Sequence, residues 1–328
     1  MGGYGDFTDI CHKAPLPLCA SVGTGASISS SVGVETDCFA RNIELANTII
    51  FQGASSFLHI LALGMTIVMI LHIRSKFTAV GRKEILNFFY LFLALTVFSL
   101  IIDAGVIPVG SDPYPYFVAV QCGFTSAAIT CLLINGFVGF QLYEDGTPLS
   151  LWMLRICSAA AWIISFLVSL GTFKSWAGMS PTNTVGLFTV LYLLNGVQLV
   201  IYVIMQVLLV VGTLQDRWPL GDIALGVFFF VAGQVLLYAV SPSICSGTSH
   251  YIDGLLFATI GNLLGVMMIY KYWDSITKED LEFSVGTRAN NWEVKDAFPE
   301  EDRRATVYTE DQYGAYEHSN SPNRMSRY

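Results

Sequence analysis

Charge is what this sequence has least of. Only 13% of its 328 residues are Asp, Glu, Lys or Arg, where soluble proteins carry roughly 25%. The shortage is local. Residues 1–48 hold 7 charges, residues 49–270 hold 15 and residues 271–328 hold 20. A middle stretch at about 7% charge cannot solvate a soluble surface. That excludes an ordinary cytosolic domain and a secreted mini-protein. A basic face is lacking too. The net charge of −8 and pI near 5.0 argue against binding a phosphate backbone, so no nucleic-acid partner is expected.

Catalytic chemistry is equally sparse. There is no Gly-rich phosphate loop, Gly-x-Ser-x-Gly elbow or His-Glu-x-x-His. A membrane metallohydrolase needs several ligands converging at one depth. His59, Asp103 and His250 are the only plausible set, and they lack the His-x-x-x-His spacing that puts two ligands on one helix face. A retinal protein needs a lysine inside its last span, and none precedes Lys271. No internal repeat suggests a secondary transporter. The Asp/Glu-Arg-Tyr and Asn-Pro-x-x-Tyr motifs of rhodopsin-like receptors are missing, since span three ends Gly139-Phe140-Gln141-Leu142-Tyr143. The expectation is no enzyme and no cofactor.

What the sequence does contain is long apolar runs. About 20 apolar residues cross a bilayer as a helix. Seven runs qualify, at roughly 49–73, 85–107, 116–140, 151–171, 185–211, 223–240 and 251–270. None alternates as a barrel strand would. Loop chemistry separates them, as at Pro108, Pro181, Trp218-Pro219 and Pro242. The expected fold is all-α, a polytopic membrane bundle of seven transmembrane helices with the lipid bilayer as its partner. An N-terminal tail (1–48), a membrane domain (49–270) and a polar C-terminal tail expected to be disordered (271–328) complete the organisation.

Positive residues set the orientation. Arg74, Lys76, Arg82, Lys83, Arg155, Arg217, Lys271 and Lys278 fall on one side, and Arg41, Lys174 and Lys13 on the other. The eight-to-three bias puts the N-terminus in the lumen or exterior and the C-terminus in the cytosol. Residues 1–48 show no apolar core after a basic start, so no signal peptide is expected.

On that assignment Cys11, Cys19, Cys38 and Cys245 face an oxidising compartment and allow up to two disulfides in three pairings. One bond from the tail to the Cys245 loop is the most economical arrangement. The alternative leaves some of these thiols free. No Asn-x-Ser/Thr sequon occurs.

Polar groups inside spans are costly and mark candidate contacts. Six stand out: His59, Asp103, Gln121, Asn135, Asn195 and Asn262. His59 could pair with Asp103 or bond a neighbouring amide. The amides could link helices or recognise another protein's membrane segments. Gly261 and Gly265, and Ala161, Ser165 and Ser169, form small-residue patterns that point to close helix approach.

Several segments carry a resemblance. They are Cys38-Phe-Ala-Arg-Asn-Ile-Glu-Leu-Ala-Asn-Thr48, His72 to Glu84, Asp103-Ala-Gly-Val106, Tyr114 to Gln121, and Asn135-Gly-Phe-Val-Gly-Phe-Gln-Leu-Tyr-Glu-Asp-Gly-Thr147. With the opening Phe7 to Cys19 they resemble the fungal chitin synthase export chaperones over roughly residues 5–275. The resemblance implies a non-catalytic endoplasmic-reticulum membrane protein that assists folding and exit of a chitin synthase, itself a many-span client. It supplies no catalytic residues. Candidate cytosolic client contacts are Arg74, Lys76, Arg82 and Lys83 in the basic loop and Glu144 and Asp145 in the acidic one, although for the acidic pair an internal contact with the basic loop is the favoured reading. Asp280-Leu281-Glu282 has the form of a di-acidic signal for the coat machinery of ER exit, although Asp-x-Glu is common by chance. The rival reading is a seven-span receptor or small-ligand sensor.

Overall fold

A computed structural model describes residues 4–23, 33–45, 48–50, 52–77, 79–140, 146–214 and 217–289. Seven of its helices are long and apolar enough to cross a membrane. A short helix α1 (Thr8–Lys13) and a 3-10 turn (Pro17–Ser21) come first. The spans are α2 (Gly53–Ser75), α3 (Arg82–Asp103), α4 (Tyr114–Val138), α5 (Pro148–Phe173), α6 (Val185–Thr213), α7 (Trp218–Gly247) and the start of α8. Helix α8 runs Gly254–Ala289, and its apolar part is Gly254–Thr277. Residues 278–328 form a second unit, of which the helical stretch to Ala289 is described.

Two spans depart from the sequence expectation for identifiable physical reasons. The first span does not begin at residue 49. Ile43–Leu45 (β1) pairs antiparallel with Thr48–Ile50 (β2), where β-branched residues favour a strand. Gln52, at φ 46°, then turns the chain into α2. The sixth span, the shortest by sequence, is the longest in the structure at 30 residues. Trp218-Pro219 reads as a loop, but Pro219 sits in the first turn of α7, where its missing N–H costs nothing. Pro242 reads as a stop. Instead a π-helical turn at Leu236–Val240 precedes it and lets the helix continue through Gly247.

The N-terminal residues are folded onto one end of the bundle. Phe7, Cys11, Leu18 and Cys19 share a core cluster with Ile102, Tyr114, Val118, Cys122, Phe173 and Leu187. The Tyr114 hydroxyl donates to the Pro17 carbonyl (2.9 Å), and the Thr184 hydroxyl to the Gly5 carbonyl (2.6 Å). A second cluster at the other end joins Ile73, Phe89, Cys131, Leu154 and Trp273.

Glycine sets the spacing between α7 and α8. A Cβ on Gly261 would lie 2.6 Å from the Phe229 carbonyl oxygen and 3.0 Å from the Gly233 Cα. The small-residue pattern of the last span therefore packs inside the chain. Gly261→Leu should push the helices apart and cost about 1–3 kcal/mol, read as a lower thermal midpoint in detergent. An unchanged midpoint would show that this contact carries no packing.

Candidate functional site: a polar cavity among the spans

Four of the six intramembrane polar residues singled out from sequence meet at one place. His59, Asp103, Gln121 and Asn262, with Ser99 and Thr259, line a part-enclosed cavity of about 140 Å³ among α2, α3, α4 and α8. Helical spacing brings them there. On α3, Ser99 and Asp103 are four residues apart and share a face; on α8, Thr259 and Asn262 are three apart and do likewise. Pro17, from the N-terminal segment, also walls the cavity.

The polar side chains are cross-linked. His59 Nε2 lies 2.9 Å from Asp103 Oδ2, and Ser55 Oγ donates to the same oxygen at 3.1 Å. Both His59 and Asp103 are buried. Gln121 Nε2 donates to Ser99 Oγ (2.9 Å), and Gln234 Nε2 to Asn262 Oδ1 (3.2 Å). Phe92, Leu95 and Leu263 supply apolar wall. The result is a pocket of hydrogen-bonding groups set among largely apolar helices. Such groups are expensive there and are retained for packing or recognition.

The other two amides are used elsewhere. Asn195 Nδ2 donates to Ser126 Oγ at 3.1 Å, joining α6 to α4. Asn135 Nδ2 donates to the Cys131 carbonyl (3.0 Å) and reaches the Glu84 carbonyl (3.4 Å). Neither lines the cavity.

Two disulfides hold the N-terminal end, Cys11–Cys19 and Cys38–Cys245. His250 Nδ1 lies 3.3 Å from Cys38 Sγ and 3.6 Å from Cys245 Sγ. The two sulfurs are joined to each other, so this trio does not offer three free metal ligands. The Arg41 guanidinium sits 5.6 Å from the Tyr251 ring centroid, and the Arg41 N–H donates to the His250 carbonyl (2.7 Å).

Asp253, just ahead of α8, accepts from the Ala40 N–H (3.3 Å) and the Leu256 N–H (3.4 Å). Burial raises its pKa above the usual 3.8, and the Asp103 charge acts in the same sense, while the hydrogen bonds oppose them. A carboxyl with a raised folded-state pKa penalises the fold at neutral pH. The penalty is relieved as pH falls through that pKa toward 3.8. The thermal midpoint of the natural chain should therefore gain on that of Asp253→Asn between pH 7 and pH 4. A difference independent of pH over that window would contradict the assignment.

At the opposite end the basic loop is engaged within the chain. Lys76 forms an ion pair with Asp274 and lies over the Trp273 ring. The Arg82 guanidinium donates to the Arg74 carbonyl (3.3 Å) and covers the Phe77 ring. Lys83 Nζ donates to the Gly146 carbonyl (3.2 Å). Glu144 and Asp145 lie outside the described residues.

Sequence reasoning does not single out Glu84, yet it is 0% exposed. Its Oε1 accepts from the Gly146 N–H (2.7 Å) and the Ser150 hydroxyl (3.2 Å), which fastens the start of α5 to α3. Its one sequence signal is a carboxylate opening an apolar run directly after four cations.

Comparison with known proteins supplies the wider context. The chitin synthase export chaperone family model matches residues 3–287. The chain belongs to the chitin synthase export chaperone family. Chitin synthase export chaperones from three fungi illustrate the likeness. That of Chaetomium globosum is 73% identical over 99% of this chain and 100% of its own length. That of Fusarium oxysporum f. sp. lycopersici is 75% identical over 95% of this chain and 94% of its own. That of Aspergillus fumigatus is 64% identical over 99% and 98%. No solved structure matches. Membership in this chaperone family makes the chain a non-enzymatic membrane protein.

Proposed function

We propose that the chain is an endoplasmic-reticulum chaperone that helps a many-span chitin synthase fold and leave that membrane, and so sustains cell-wall chitin. The family match along nearly the whole chain carries this reading. The proposed orientation puts the N-terminal face in the lumen and the C-terminus in the cytosol. It is supported by the eight-to-three bias of cations and by the two disulfides at the N-terminal end, which suit an oxidising compartment.

The physics of a membrane client suggests what the helper does. A polytopic enzyme whose bundle has not closed exposes polar groups to lipid, at a cost of several kcal/mol for each unsatisfied one. A partner that presents hydrogen-bonding groups within the bilayer lowers that cost until the client's own helices meet. In this reading the polar cavity is the candidate contact. Asn135 and Asn195 hold the chaperone's own helices together.

Affinity purification of the tagged chain from detergent extracts of its fungal host tests the reading. Chitin synthase should co-purify mainly from the endoplasmic-reticulum fraction. Recovery no greater than with an unrelated membrane protein of that compartment would refute it.

A further inference from the structure

The hydrogen bonds around the cavity use some of its polar atoms and leave others over. Asp103 Oδ2 is taken by His59 and Ser55, Gln121 Nε2 by Ser99, and Asn262 Oδ1 by Gln234. Asp103 Oδ1, Gln121 Oε1 and Asn262 Nδ2 have no protein partner among the described residues, and all three residues line the cavity. The cavity thus presents free acceptors at Asp103 Oδ1 and Gln121 Oε1 and free donors at Asn262 Nδ2 and the Ser99 hydroxyl, which accepts from Gln121 but donates to no described residue; His59 Nδ1 is likewise unused among the described residues.

We propose that the cavity receives a primary carboxamide, the head of an Asn or Gln side chain on a membrane helix of the client. That one group carries two N–H donors, for Asp103 and Gln121, and one carbonyl acceptor, for Asn262. Other groups fit less well. A hydroxyl has a single donor, an ammonium has no acceptor, and a carboxylate has no donor and would face Asp103. Turning the Asn262 amide by 180° exchanges its free donor for a free acceptor, turning that of Gln121 does the reverse, and a carboxamide, which has both kinds of group, still serves either. A neutral group is also cheaper than an ion to bring between apolar helices. Size agrees, since a cavity of about 150 Å³ holds a benzene ring and this one measures about 140 Å³.

The identity of the client rests on the chaperone reading; the preference for a carboxamide rests on the cavity alone. The test uses the full chain in detergent micelles and propionamide as the probe, followed by saturation-transfer NMR, with propionate and n-propanol as comparisons. Propionamide should bind saturably, with a Kd on the order of 1–10 mM for so small a ligand. The acid and the alcohol should bind at least tenfold more weakly, and Asn262→Leu and Gln121→Leu should each lose at least tenfold. Circular dichroism identifies any variant that fails to fold; if only one folds, it decides.

No saturable binding, equal binding of all three probes, or undiminished binding by a folded variant would overturn the proposal, leaving the cavity to water. Client delivery in the host separates the two readings. If deleting the chain leaves delivery intact, the chaperone reading fails whatever propionamide does. If deletion blocks delivery and propionamide does not bind, the cavity proposal fails alone.

Discussion

Replacing both Cys38 and Cys245 with serine should lower stability by about 2–4 kcal/mol, the usual worth of a disulfide that closes a long loop. The two cysteines are 207 residues apart, so the bond closes a loop that takes in the first five spans and all but the end of the sixth. In the chain-entropy picture, stabilisation grows with loop length, and Cys11–Cys19, with a separation of only 8, should matter less. The bond also fixes neighbouring contacts. The chain just after Cys38 reaches residues 250–253 through the Arg41–His250 and Ala40–Asp253 hydrogen bonds. Limited proteolysis of the detergent-solubilised protein reads the outcome. Residues 33–42 should become cleavable in the double serine variant, and the thermal midpoint should fall further than in Cys11→Ser/Cys19→Ser. Equal, small losses in both variants would show that the long closure is not a principal staple.

Glu84→Leu should be similarly damaging, for a different reason. It leaves the buried Ser150 hydroxyl and the part-buried Gly146 N–H without their acceptor, at about 1–3 kcal/mol for the buried group and less for the other. Glu84→Gln keeps an acceptor oxygen and the side-chain shape, so it should retain most of the stability. Abundance in the host follows stability at this scale, since about 1–2 kcal/mol changes steady-state levels several-fold. A folded, abundant Glu84→Leu protein with the midpoint of the natural chain would contradict this role. The stability loss should appear without client present, which separates an internal fastening from a contact surface.

The spans are legible in the sequence because the bilayer imposes one simple requirement, a run of apolar residues long enough to cross it. Their ends are less so. Pro242 stops a helix in ordinary sequence logic, but the π-helical turn before it absorbs the missing N–H, and that turn has no signature of its own. The strand pairing at 43–50 was hidden because its isoleucines also fit the apolar onset of a span. The cavity was half visible. His59, Asp103, Gln121 and Asn262 each stand out as polar residues in apolar surroundings, yet so do Asn135 and Asn195. Only the rotation and packing of the helices sorts those facing a shared space from those tying helices together. Glu84 was obscured by its neighbours, because a carboxylate beside four cations reads as part of a charged loop.

These features describe a bundle held closed at both ends. Disulfides and the folded N-terminal segment secure one end, and Glu84 and the Lys76–Asp274 pair secure the other. Between them lie hydrogen-bonding groups that the chain's own contacts do not exhaust. Secured ends and a cavity with unused hydrogen-bonding groups are what the proposed helper requires, since it must itself stay folded while offering polar contacts to an incomplete client.

The most direct test is deletion of the gene in its fungal host, with a fluorescently tagged chitin synthase and an unrelated membrane cargo imaged in the same cells. On the chaperone reading the synthase is held in the endoplasmic reticulum, wall chitin falls, and the other cargo is delivered normally. Synthase reaching the cell surface at its normal rate, with wall chitin unchanged, would contradict it.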